Sequence, residues 1–342
     1  MSLGPFILRR LALSIFVLFG LSIMIFVIAR IIPGDPARMA LGPRVPPEVV
    51  ERLSKQMYLD RPIPEQYMLW LWGVFHGDLG DSLLTRRPVS QDIREYFPAT
   101  LELVAFTGVI IAMLGITLGV LSARYANTWF DNLVRIVSYL GIVTPAFAWA
   151  VIFILIFGFV WNVFPIFGRL SESIISPPWV TGIMTVDSLL ARRPDAFWDA
   201  LKHLVLPAAA LAMGPMSQTA RITRSSMAEN LNKDYISSMI AYGVPGRVVT
   251  TKYLLKPSLI PTITVMALDI AATFGMAFLV ELIFGYPGIS RYGIHAMLNK
   301  DVNAIVGVVL VLGLVFVTIN IVVDAIVAYL DPRIRLLGGR SV

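Results

Sequence analysis

The chain has 342 residues, of which 57% are hydrophobic and only 15% charged, and its mean hydropathy is +0.75. Soluble domains carry about 25% charged residues, so this composition excludes an ordinary soluble fold. Cysteine is absent, which removes disulfides, cysteine metal sites and thiol chemistry. The formal charge of +6 has meaning only through its location.

A helix crossing about 30 Å of hydrocarbon needs about 20 apolar residues. In chain order, the runs that meet this are Leu11 to Ala29, Leu103 to Ala123, Ile136 to Val160, His203 to Ala220 and Ala304 to Val323. Pro257 to Val280 joins them if one acid, Asp269, is tolerated inside. The expected fold is therefore an all-α polytopic membrane protein with six transmembrane helices. The first run follows Arg9 and Arg10 as a signal peptide would. It exceeds the roughly 7 to 15 residues of a signal core, and Arg30, Ile31, Ile32 and Pro33 stand where a small-residue cleavage site belongs, so it reads as a retained helix.

These runs divide the chain into a first transmembrane helix (1–32), an extracytoplasmic loop domain (33–98), a five-helix core (99–331) and a short tail (332–342). An outer loop (161–202) and an inner loop (221–258) interrupt the core. Segments 1–10, 122–135, 221–256 and 331–342 hold thirteen basic residues against four acids. An excess of Lys and Arg marks the cytoplasmic side, so both termini are expected there.

Pro33, Gly34 and Pro36 end the first helix. "PPEVVERLSKQMYL" and "PEQYMLWLWGVFHG" then predict two short helices, the second ended by Gly77. Trp70 and Trp72 suit either the bilayer interface or the small core of this loop. Pro177 and Pro178 break any long helix in the outer loop, whose Arg192 and Arg193 fit a solvated loop or an acidic partner. Thr144-Pro145, Pro207 and Pro215 predict bends within the third and fourth spans, which shape a cavity or serve as packing kinks. "GITLG" (Gly115 to Gly119) has the small-xxx-small spacing of close helix contact, a pattern that 25 glycines also generate by chance.

No phosphate-binding G-x-x-x-x-G-K-[ST] loop occurs, nor an H-E-x-x-H, and His76, His203 and His295 are dispersed. Asp269 at bilayer depth costs about 2.5–3.5 kcal/mol on insertion scales. It therefore belongs to a solute route or to a buried, hydrogen-bonded position between helices. Glu281, at the far end of the same helix, is expected at an outer mouth, and Asp324 at an interface. Met213 and Met216 flank Pro215 and either pack the core or adapt to varied ligands.

The stretch from Asn232 to Pro261 is unusual, because it places a basic, glycine-broken segment between greasy runs. Lys233 to Tyr242 predicts a short helix with Tyr235, Met239 and Tyr242 on one face and Ile236 and Ile240 beside them. Gly243 ends it and Pro245 opens the next helix. An amphipathic helix–turn–helix of this kind lies on the membrane surface or fits a groove in a partner.

At these residues the chain resembles the B-type transmembrane subunit of the dipeptide and oligopeptide permease family of ABC importers. Its "KDY" (Lys233 to Tyr235), Gly243 and Pro261 match that family's cytoplasmic coupling loop. The resemblance extends through "RRLALSIFVLFGLSIMIFVIARIIPGDPA", "LDRPIPEQYMLWL", "GDLGDSLLTRRPV", "FPATLEL", "PGISRYGIHAMLNKD" and "YLDPRIR". Ile240, Tyr242, Tyr253 and Pro257 depart from its usual pattern.

The resemblance implies half of a translocation pathway in a bacterial or archaeal plasma membrane, carrying peptides, or else oligosaccharides, opines or nickel. It implies four partners: a second permease subunit, two ABC ATPase subunits that bind ATP and Mg, and an extracytoplasmic solute-binding protein. No cofactor on this chain, no catalysis by it and no nucleic acid are implied. Asp234, Tyr235, Ile236, Met239, Ile240, Tyr242 and Gly243 are the expected ATPase-coupling residues, and Asp269, Met213, Met216 and Glu281 the expected solute pathway. The rival readings are an ion-coupled secondary carrier with Asp269 as its ion site, and an intramembrane enzyme, for which no catalytic pair stands out.

Overall fold

The computed structural model describes residues 3–31, 45–56 and 58–330. The expected breaks at Pro33, Gly34 and Pro36 and the tail from Asp331 onward lie outside these. The described residues form α1 (Leu3–Ile31), α2 (Pro47–Gln56), α3 (Ile63–Phe75), α4 (Val89–Arg124), α5 (Trp129–Val143) and α6 (Ala146–Val160). They continue with α7 (Met184–Leu190), α8 (Pro194–Leu231), α9 (Asp234–Ala241), α10 (Gly246–Ile283), α11 (Ile289–Leu298) and α12 (Val302–Leu330).

Five of these helices, α1, α4, α8, α10 and α12, are long and apolar enough to cross a membrane. The α5–α6 pair makes a sixth span if counted as one. The bend expected at Thr144-Pro145 is a full break, with the two helices meeting at 112°. Proline disfavours helical geometry in the residue before it, and Thr144 is extended at φ −84° and ψ 124°. Pro207 and Pro215, by contrast, lie within an unbroken α8.

Several helices outrun their apolar stretches. Helix α4 starts at Val89, fourteen residues before the apolar run at Leu103, because its first turns carry charges with partners of their own. Asp92 is buried and accepts hydrogen bonds from Thr85 Oγ1 (2.5 Å), Arg87 Nε (2.5 Å) and the Tyr292 hydroxyl (2.8 Å). Ser82 Oγ likewise donates to Asp301 (2.6 Å). The connection before α4 is thereby tied to α11 and to the start of α12.

Of the long helices, α4, α8 and α12 run toward the basic end, and α1 and α10 run away from it. The start of α4 packs against α11 and α12 through Val89, Ile289, Tyr292 and Ala304, while its far end, at Val120 and Ala123, meets Met227 of α8 and Ile236 of α9. Arg10 pairs with Asp324 at 3.2 Å, which brings the first residues of α1 to the last turns of α12. Both described chain ends therefore lie at the end that also holds α9 and the α4–α5 turn, the basic end of the molecule.

Helix α8 is the centre, packed against α4, α5, α6, α7 and α10. Its buried face is alanine-rich (Ala196, Ala200, Ala208, Ala210, Ala212, Ala220), which lets neighbouring backbones approach. The neighbours supply glycine at the contacts. A Cβ on Gly119 would lie 2.5 Å from the Thr223 Cβ and 2.7 Å from the Ala220 carbonyl, and one on Gly115 would lie 2.9 Å from Thr219. Gly141 of α5 leaves still less space, at 2.2 Å from Ser217 Oγ. The "GITLG" spacing is therefore a helix contact.

The opposite end is locked by ions. Arg169 is buried and pairs with Glu102 of α4, donates to the Gly182 carbonyl (3.0 Å) and lies 5.6 Å from the Tyr286 ring centroid. Glu102 also accepts from the Thr185 amide and hydroxyl (2.7 Å each) and from the Tyr286 hydroxyl (3.2 Å). Burial first, and then the Glu102 carboxylate, push the Tyr286 phenol well above its ordinary range, so it remains a donor. Asp187 closes the 180–182 turn with bonds from the Thr181 amide (2.8 Å) and hydroxyl (2.7 Å) and the Gly182 amide (2.9 Å). On the other side of the fold, Tyr67 and Trp70 of α3 pack on Phe26 of α1 (5.2 and 5.7 Å), whereas Trp72 is exposed.

The α4–α8 contact predicts that Gly119→Ala lowers thermal stability by about 1–3 kcal/mol through overpacking, read as a fall in Tm in detergent. A Cβ on Gly275 meets nothing within 4 Å, so Gly275→Ala should hold or raise Tm by helix propensity, worth up to about 1 kcal/mol. At Asp187, burial acts to raise the carboxyl, but its hydrogen bonds prevail and hold it below the ordinary carboxylate range. A lowered folded-state value stabilises above the unfolded value and is lost as pH falls through the folded one. Asp187→Asn should therefore lower Tm at pH 7, and the difference from wild type should shrink below about pH 4.

Candidate functional site

The sequence-predicted site residues fall in two places, the α9 junction at the basic end and the region around Asp269. Helix α9 begins after Lys233, which is extended at φ −81° and ψ 141°, and has Asp234 in its first turn, where an acid favours the helix dipole. It ends in a Schellman turn: the Gly243 amide donates to the Ile240 carbonyl (3.0 Å) and the Val244 amide to the Met239 carbonyl (3.1 Å). Gly243 has φ +76° with open space around a would-be Cβ, so backbone conformation alone requires glycine here. After Pro245 the chain enters α10 through a wider, π-helical turn over Val249–Leu254.

The structure splits the expected coupling residues into two groups. Ile236 is fully buried with Met227 of α8 and Val249 and Leu254 of α10, against Val120 and Ala123 of α4. It anchors α9 within the chain and offers no outer surface, which corrects its grouping with the exposed face. Tyr235, Ile240 (57% exposed) and Tyr242 (88% exposed) do face outward with Asp234, and Met239 is half-buried. The Tyr235 hydroxyl lies 3.5 Å from the Tyr253 carbonyl, so even this exposed ring touches the return segment. Ile236 thus sits at the ends of three long helices, α4, α8 and α10.

The expected pathway residues also separate. Asp269 borders a cavity of about 290 Å³ whose other walls include Gly141, Thr144 and Pro145 at the α5–α6 break and Gln218 of α8. Its Oδ2 is buried without a hydrogen-bond partner. Met216 is buried with Ile111 and Ala212, and Met213 packs on the same cluster, so both are packing residues here. Glu281 is fully buried, accepting from Thr100 Oγ1 (2.5 Å) and the Arg291 amide (2.8 Å). The expectation that it stands at an outer mouth is not met, because α11, ten residues further on, and α4, 181 residues away, close over it and supply those donors.

Sequence reasoning passed over a second polar site at the basic end. Asp131 of α5 is fully buried and accepts from Arg224 Nε (2.6 Å) and Nη2 (2.7 Å), Ser122 Oγ (2.6 Å) and the Asn127 amide (2.9 Å). This paired Arg–carboxylate contact joins the α4–α5 turn to α8. A cavity of about 190 Å³ lies beside it, lined by Arg135, Ser138, Tyr139, Arg221 and Arg224 among others. An acid in the first turn of a helix was its only local signal.

Comparison with known proteins follows the same lines. Residues 115–336 match the family described as "Binding-protein-dependent transport system inner membrane component". Residues 3–104 match "Binding-prot-dependent transport system membrane comp, N-term". The chain is similar to the "Probable D,D-dipeptide transport system permease protein" of Escherichia coli K12, at 40% identity over 95% of this chain and 96% of that one. It is also similar to the "Dipeptide transport system permease protein" of Alkalihalophilus pseudofirmus (39% identity, 96% of this chain and 98% of that one). The Escherichia coli K12 protein of the same description is 35% identical over 96% of this chain and 98% of that one. The chain belongs to the family of binding-protein-dependent inner-membrane transport components, the multi-pass permease subunits of ABC importers.

Proposed function

We propose that this chain forms half of the translocation pathway of an importer for dipeptides and short oligopeptides. In this reading a solute-binding protein delivers the peptide to the ion-locked end, a second permease subunit completes the pathway, and two ATPase subunits bind ATP and Mg at the basic end. No bond in the solute is made or broken by this chain. The Lys and Arg excess supports reading the basic end as the cytoplasmic side of a bacterial or archaeal plasma membrane, with both termini on that side. The names of the relatives support peptide as the solute.

The observation that carries the reading is the two-sided build of α9. Its outer side presents Tyr235, Ile240 and Tyr242, large apolar and aromatic groups of the kind that fill a groove in a partner. Its inner side is pinned by Ile236 between α4, α8 and α10. A helix lying on lipid would gain nothing from that pin. A lever needs both a partner-facing side and a fixed attachment to the parts it moves, and α8 and α10 are two of the helices that wall the Asp269 cavity.

Ile240 and Tyr242 project outward, so replacing both by Asp should leave the Tm of the chain unchanged. It should abolish the stimulation of ATP hydrolysis by loaded binding protein and cut peptide uptake by about 30-fold, the size of a 2 kcal/mol hot spot. Ile236→Ala, by contrast, should lower stability by about 2–4 kcal/mol, as a buried aliphatic truncation does, read as a fall in Tm. Normal coupled uptake by the double variant would remove α9 from the role of lever.

A further inference from the structure

The cavity of about 190 Å³ at the basic end is walled by three helices, with Ser122 from α4, Arg135 and Ser138 from α5, and Arg221 and Arg224 from α8. Three guanidinium groups border it. The one acid beside them, Asp131, is spent on Nε and Nη2 of Arg224. Arg135 and Arg221 donate only to the neutral amide oxygens of Asn132 and Gln218, and neither has a carboxylate partner among the described residues. Two positive charges are therefore left without a counter-charge at one small cavity. Ser138 adds a further donor: it is 7% exposed, lines the cavity, and its hydroxyl has no hydrogen-bond partner among the described residues.

The surroundings of the cavity are those of a membrane surface. Arg135 and Arg221 are both exposed, and next to Arg135 the outer face of α5 exposes Leu133, Ile136 and Leu140. Trp129, 76% exposed, stands at the start of the same helix, six residues before Arg135, or about 9 Å along the axis. Tryptophan collects at the level of the lipid headgroups, and arginine reaches toward that level along its apolar stem. The uncompensated charges therefore lie within side-chain reach of headgroup depth, beside an apolar face suited to acyl chains.

We infer that this cavity binds a phosphate group of net negative charge, supplied by the headgroup of an anionic phospholipid or by free phosphate. Guanidinium groups match the oxygens of a phosphate with charge-assisted hydrogen bonds, and basic pockets between spans on the cytoplasmic side take anionic headgroups. Arg135 and Arg221 supply the charge and the Ser138 hydroxyl a neutral donor. A lipid bound this way lays its chains against Leu133, Ile136 and Leu140. The anion bridges α5 to α8, next to the bridge that Asp131 and Arg224 already make between the same two helices, so its binding stabilises their contact. The site is separate from the solute and does not depend on which solute is carried.

The test is a thermal-shift titration of the full assembly, this chain with its partner permease and ATPases, delipidated in a zwitterionic detergent. The probes are dihexanoyl phosphatidylglycerol, dihexanoyl phosphatidylcholine and inorganic phosphate. Phosphatidylglycerol should raise Tm in a saturable way, as a ligand of the folded state does. Arg135→Gln with Arg221→Gln should raise its half-saturating concentration by about 30-fold, the effect of losing two basic groups near a membrane surface. Lysine at both positions keeps the charge and should recover most of that loss. Arg247→Gln with Lys252→Gln removes the same charge from the basic end outside the cavity and should titrate as wild type. A shift from phosphatidylglycerol without one from phosphate assigns the site to lipid, whereas an equal shift from phosphate at the same concentration assigns it to the free ion. No shift with any probe, an equal shift from phosphatidylcholine, or an unchanged titration of the Arg135 and Arg221 double variant overturns the inference.

Discussion

Close approach of backbones around α8 is the constraint on which the rest of the structure depends. Lipid offers helices no hydrophobic incentive to associate, because its tails are as apolar as their side chains, so packing depends on surfaces that fit. Alanines along α8 and glycines at 115, 119 and 141 on its neighbours provide that fit. The same tight seam sets where the cavities form. Gly141 holds α5 against Ser217, and three residues later the chain breaks at Thr144-Pro145 and turns away by 112°. Space opens beside the seam, and Asp269 borders it.

Charge does the remaining work at the two ends, in different ways. At one end, Glu102, Arg169, Asp187, Asp92 and Glu281 are all buried and hydrogen-bonded, and they fix the loops to the tops of α4, α10 and α11. Removing one partner from such a buried pair costs about 3–5 kcal/mol, so this end is held as one piece. At the basic end the Asp131–Arg224 ion pair ties α5 to α8, and the attachment of α9 is apolar, through Ile236. A rigid face toward the delivered solute and a joint with a greasy pivot toward the ATPases suit the proposed direction of force.

Much of this was legible from composition and local pattern. Apolar runs mark the long helices because hydrocarbon imposes a length. Gly243 and Pro245 mark α9 because a Schellman turn needs positive φ and a first helical turn tolerates proline. The helix ends were less legible: α4 and α8 continue well beyond their apolar runs, since a helix keeps its own hydrogen bonds in water as in lipid and hydropathy reports only its surroundings. Glu281 was placed at an opening by its position near a helix end, and it is buried because Thr100 and the Arg291 amide satisfy it.

By itself, then, the sequence determined a membrane-embedded all-α chain, its basic end, its family resemblance and the existence of α9, since each follows from residue type at short spacing. Tertiary structure decided which groups are spent and which are free. Tyr235 and Ile236 are adjacent and both apolar enough to face a partner, and only the meeting of α4, α8 and α10 shows that Ile236 is enclosed. Arg224 and Arg221 lie one turn apart on the same helix, yet one is neutralised by an acid 93 positions away in sequence and the other is not. Pairing across such separations is set by packing geometry, which no local pattern encodes.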